Sequence, residues 1–138
     1  MALLPEMGNP FDSYEKHDTE LGWIPRANVH IPNRFGRWKD VSINSQNLRA
    51  SREFDRDVPV GQIRVVCSGD SMTFGLGVGN AETWCEQLAL FDPRIEPLNA
   101  AALPTAPISP FYATHRFAKH FNTMYTSFRS SIPISFNA

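Results

Sequence analysis

"QIRVVCSGDSMTFGLG" occupies residues 62–77. Its first part, "QIRVVCS" (62–68), is the clearest strand in the chain. Val65-Val66-Cys67 is apolar without alternation, as in a parallel strand covered on both faces. Gly69 ends the run, and Asp70 and Ser71 follow before further glycines. A chain that leaves a buried strand and at once presents a hydroxyl in a glycine-softened turn has the layout of a nucleophile site. It is equally the layout of an ordinary strand-to-helix turn that contains serine.

Elements fall on both sides of this stretch. "TWCEQLALF" (83–91) begins a helix, with Thr83 and Glu86 at capping-box spacing. Trp84 and Leu88 share one face of it. "IEPLN" (95–99) is a second strand, placed at a sheet edge because Pro97 has no N–H for a ladder. "SPFYATHRFAKHF" (109–121) reads as a helix capped by Ser109 with Pro110 in its first turn. Phe111, Phe117, Ala118 and Phe121 give that helix a core-facing stripe. "SIPISF" (131–136) is a third strand, weakened by Pro133. Strand, helix, strand, helix, strand predicts a parallel sheet with helices on its faces. Ligands of such sheets bind beyond the carboxyl ends of the strands, where Ser71 falls.

Upstream, residues 1–33 are rich in Pro, Asn and Gly and read as an extended arm. "HIPNRFGRWKDVSIN" (30–44) reads as a short hairpin turning at Pro32-Asn33 and Gly36. Residues 45–60 read as a polar connection, in which "RASREFDRD" (49–57) mixes charge signs as a solvated linker does. The expected organisation is an arm with a hairpin over 1–60 and an α/β domain over 61–138.

The 138 residues suit one domain, and 42% apolar content can form a core. Thirteen basic and 14 acidic residues give a net charge of -1, without the basic excess of a nucleic-acid binder. The two cysteines, Cys67 and Cys85, are too few for a disulfide scaffold. Two free buried thiols are the favoured reading, with a bridge as the minority alternative. The four histidines are scattered, and no Cys/His spacing suits a metal. No cofactor or metal is expected. No span reaches membrane-helix length, and "MALLPEMGNP" lacks a basic n-region, so a cytoplasmic location is the default unless an export segment is missing.

Gly-Asp-Ser could serve three chemistries. A phosphate-binding P-loop fails, because Leu76 follows Gly75 where Lys is needed. Gly75, Gly77 and Gly79 miss the dinucleotide spacing. A serine nucleophile fits better, with neighbouring N–H groups as oxyanion donors.

"IRVVCSGDSMTFGLGVGNAETWCEQL" resembles the first block of the SGNH (GDSL-type) hydrolases: strand, Gly-Asp-Ser-x-Thr-x-Gly, a Gly/Val segment and a Glu-Thr-Trp helix start. "VSINSQNLRAS" (41–51) resembles the preceding segment of one branch, near "INS-x-G-x-R", with Asn47 where Gly is usual. "EPLNAA" (96–101) resembles its "LNAG" strand end. The resemblance spans about residues 20–106. It implies a flavodoxin-like three-layer αβα sandwich, here incomplete at the C-terminal end. It implies Ser71 as nucleophile and backbone oxyanion donor, with Gly69, Asp70, Thr73, Gly75 and Asn99 shaping the site. The substrate class it implies is a small ester or acylated sugar.

Departures from the family pattern are specific. Ala101 replaces a glycine, and Pro104 falls about where a second oxyanion N–H is expected. Gly-x-Asn-Asp and Asp-x-x-His, which supply a further donor and the base, are both absent from the chain. His115 is expected to face solvent. The expectation is an ester hydrolase in truncated or degenerate form, with a non-catalytic binding module as the alternative. An exposed sheet edge would favour self-association.

Overall fold

The computed structural model describes residues 14–19, 22–101 and 121. The first elements are strands β1 (Glu15–Asp18) and β2 (Gly22–Pro25), an antiparallel pair with Glu15 opposite Pro25. Strands β3 (Val29–Ile31) and β4 (Val41–Ile43) form a second antiparallel pair. Its connection contains Asn33 at φ 51° and Gly36 at φ 116°, left-handed positions that Asn and Gly tolerate best. This is the hairpin expected at 30–44.

Strand β5 (Ile63–Cys67) leads into the short helix α1 (Ser71–Phe74), a 3-10 turn (Asn80–Glu82), helix α2 (Trp84–Phe91) and strand β6 (Ile95–Asn99). β5 and β6 are parallel, with Val66 opposite Leu98 and Cys67 opposite Asn99. The Thr83 hydroxyl caps α2 by accepting from the Glu86 N–H at 3.3 Å. Among the described residues β6 pairs only with β5, and Pro97 stands opposite Val65.

The αβα sandwich expected from the sequence is not the architecture. The described residues make three separate two-stranded sheets, two antiparallel and one parallel, with two α-helices of 4 and 8 residues. The side-chain alternation of β5 and β6 explains the difference. Cys67 faces α2, as expected of a helix-covered sheet. The opposite face carries Val66 and Leu98, and it is covered by Leu48, Ala50, Phe54 and Phe121 in one buried cluster. An irregular segment therefore supplies much of the cover expected from a second helical layer. The helix expected at 109–121 (apart from Phe121 itself) and the strand expected at 131–136 lie outside the described residues, as do Pro104, His115 and His120.

Two further expectations are corrected. The extended arm contains the β1–β2 hairpin, and Tyr14, Ile24, Val41 and Ile43 are all buried. The polar connection is a folded part of the core. Asn44 Oδ1 accepts from the N–H groups of Gln46 and Leu48, at 3.0 and 2.9 Å, nucleating a turn. The Gln46 side chain pairs in both directions with the backbone of Phe54. Among the described residues no helix is long and apolar enough to cross a membrane.

Candidate functional site

Gly69 to Gly75 form a tight turn beyond the carboxyl end of β5. Asp70 is the N-cap of α1, its carboxylate accepting from the Met72 N–H at 3.0 Å. The cap satisfies an N–H in the first turn of α1 that has no partner within the helix. Gly69 packs so closely on Thr73 that a Cβ would lie 2.3 Å from Thr73 Oγ1. Gly75 ends α1 at φ 86°, and a Cβ there would lie 2.7 Å from Thr83 and 2.9 Å from Arg49. Both glycines are therefore required by the fold of the turn itself.

The turn is clamped from three directions. Asn99, at the end of β6, donates from Nδ2 to the Thr73 carbonyl at 2.8 Å. Its Oδ1 accepts from the Ala101 N–H. Phe74 is fully buried and stacks on Tyr14, ring centroids 5.6 Å apart, in a cluster with Val41, Ile43 and Ala101. The third clamp is Arg49, only 2% exposed. Its Nη1 donates to the carbonyls of Phe74 and Gly75, its Nη2 to Val78 at 2.5 Å, and its Nε to Asn80 Oδ1 at 3.2 Å. The guanidinium also lies over the Phe74 ring, 4.7 Å from its centroid. Burial pushes its pKa down to about 10, which leaves it a cation at neutral pH. Carbonyl oxygens, rather than a carboxylate, compensate its charge.

Asn80 completes the frame. Its side chain mimics a strand residue: Oδ1 accepts from the Ser42 N–H at 3.0 Å, and Nδ2 donates to the Ser42 carbonyl at 2.9 Å. The loop after the turn is thereby tied to β4.

Ser71 is the part of this turn that stays open. It is half-buried, and its hydroxyl and N–H make no hydrogen bond with another described residue. Met72 beside it is 74% exposed, and Leu76 is also exposed. The expected site residues Gly69, Asp70, Ser71, Thr73, Gly75 and Asn99 are thus brought together, with Asn99 and Thr73 committed to holding the backbone. Neither described histidine reaches Ser71 by a hydrogen bond. His17 packs edge-on against Trp23, and His30 is hydrogen-bonded to Ser42 at 2.8 Å and lies 3.8 Å from Asp40. Among the described residues no group of three or more His, Cys, Asp or Glu side chains is arranged to hold a metal. One shallow concavity is lined by Arg49, Arg52, Asn80 and Glu86 among others, and it does not include Ser71.

Arg49 is the residue that sequence reasoning missed, because it begins a stretch whose mixed charges suggest a solvated linker. The signal available is its place at the end of the "INS-x-G-x-R" pattern, between apolar Leu48 and Ala50. Asn47 sits at φ 62°, a left-handed position that Gly and Asn tolerate best, and its Nδ2 donates to the Pro25 carbonyl at 2.7 Å. Cys67 and Cys85, expected as thiols, form a disulfide with Cα atoms 6.0 Å apart.

Comparison of the chain with protein-family models, with curated proteins and with solved structures finds no match.

Proposed function

We propose that Ser71 is the nucleophile of an SGNH-type site acting on ester bonds, in acyl transfer or hydrolysis. The observation that carries this reading is the Gly-Asp-Ser turn itself. The backbone around Ser71 is fixed by Gly69, Asp70, Thr73, Gly75, Arg49 and Asn99, while the serine hydroxyl is left without a structural duty. The Ser71 N–H is the oxyanion donor that the described turn offers. Exposed Met72 and Leu76 give its surroundings an apolar character, which suits the acyl part of a small ester or acylated sugar.

The site lacks an identified base. With no Asp-x-x-His in the chain, the hydroxyl attacks slowly at neutral pH. Turnover of activated short-chain esters is therefore expected to be weak, because triad members act as a unit.

The test is labelling by a fluorophosphonate, read by peptide mapping, with and without added imidazole to stand in for the base. Slow labelling confined to Ser71, faster with imidazole and lost in Ser71→Ala, is the expected result. No label at Ser71 even with imidazole would remove the nucleophile reading. It would favour a non-catalytic binding module.

A further inference from the structure

The chain has two cysteines, and both are committed to one bond. Cys67 is the last residue of β5, and Cys85 lies in the first turn of α2. They are 2% and 0% exposed. The position of this bond matters because of what else holds α2. Of its eight residues, Cys85 alone is buried. Among the described residues neither buried apolar cluster contains a residue of α2, while Leu90 and Phe91 are exposed. Its ion pair, Glu86 with Arg52 at 3.8 Å, joins two partly exposed side chains and is worth little.

The preceding segment is held quite differently. Phe74 is in the core, Arg49 binds the carbonyls up to Val78, and Asn80 is bonded to β4. Its retention does not require the disulfide.

From this contrast we infer that α2 is a redox-releasable flap, latched onto the β5–β6 sheet by the Cys67–Cys85 disulfide. Oxidised, the latch keeps α2 over the sheet face that carries Cys67. A dithiol reductant opens it by exchange. One reductant thiolate attacks a cysteine sulfur and forms a mixed disulfide. Its second thiol resolves that bond, so the reductant leaves as a disulfide and Cys67 and Cys85 become thiols. Two electrons and two protons pass to the protein. The latch therefore persists in an oxidising compartment and opens in a reducing one. The inference is independent of Ser71 being a nucleophile.

The experiment uses the full chain, folded and oxidised, treated with dithiothreitol under native conditions. Iodoacetamide adducts are counted by mass, and amide hydrogen exchange is followed by segment. The expected result is no adduct before reduction and two after it. Exchange should accelerate about a hundredfold at α2 amides such as Gln87, the scale set by opening a loop of this length. The β3–β4 hairpin and the turn at Gly75 should keep their protection. The double variant Cys67→Ala/Cys85→Ala should show the same pattern without reductant. If that variant does not fold, the reduced wild-type chain decides. Adducts before reduction would overturn the inference. So would a bond that resists dithiothreitol under native conditions, reduction that leaves α2 protected, or loss of protection across the whole molecule.

Discussion

The turn around Ser71 and the segment from Asn44 to Phe54 present opposite problems. In the turn, an apolar run, a Gly-Asp-Ser and a capping threonine are short-range signals, and each residue type occupies the local position it suits. The Asn44–Phe54 segment has the character of a linker, polar for most of its length and without periodicity. Yet it buries Leu48, Arg49, Ala50 and Phe54, and Arg49 holds the Ser71 turn in shape. A segment that is irregular in backbone can be as structural as a strand, provided side chains satisfy its polar groups. Asn44, Gln46 and Glu53 do so here.

The sharpest way to break this comparison is to remove Arg49. Arg49→Ala leaves the buried Phe74 and Gly75 carbonyls without their donor, at about 1–3 kcal/mol for each unsatisfied group. Losses on that scale are a large part of a small domain's stability. Loss of cooperative urea unfolding is expected. An unchanged midpoint would return the segment to the status of a linker.

Phe74→Ala tests the same junction from the side of the turn. Truncating a fully buried phenylalanine is expected to cost about 3–5 kcal/mol. A double-mutant cycle with Tyr14→Ala should show a coupling of about 0.5–1.5 kcal/mol from the stacked rings. Zero coupling would mean that the two rings contribute independently.

Asn47→Gly has a smaller effect, and its sign is informative. Glycine relieves a left-handed backbone but loses the bond to Pro25 and adds freedom to the unfolded chain. A net destabilisation of about 1 kcal/mol is expected in denaturant titrations. Stabilisation would show that the backbone, not the side chain, sets the requirement at this position.

The smallest effect is in pH dependence. Burial is the main cause that raises the Tyr14 pKa above its ordinary 10.0. The folded state therefore keeps this proton when the unfolded chain has begun to lose it. The resulting stability is complete below the unfolded value of 10.0 and is lost as pH rises through the folded value. An ultraviolet titration of the phenol should show later ionisation in the native protein than in urea. Coincident curves would place Tyr14 in water rather than against Phe74.

Several features are legible in the sequence because they depend on near neighbours. β5 follows from an unbroken apolar run, the cap of α2 from Thr83, and the β3–β4 hairpin from Asn33 and Gly36. The grouping of Gly69, Asp70, Thr73 and Gly75 in one turn is also a matter of spacing. Other features are decided by distant chain. Cys67 and Cys85 are 18 residues apart in sequence, and only the tertiary structure brings their Cα atoms to 6.0 Å. Among the described residues, Leu48, Phe54 and Phe121 cover the far face of β5–β6. A linear pattern records that Val66 and Leu98 need burial, since that is a property of the residues themselves. It does not record which surface supplies the cover, because the hydrophobic effect is non-directional and accepts any apolar partner that fits.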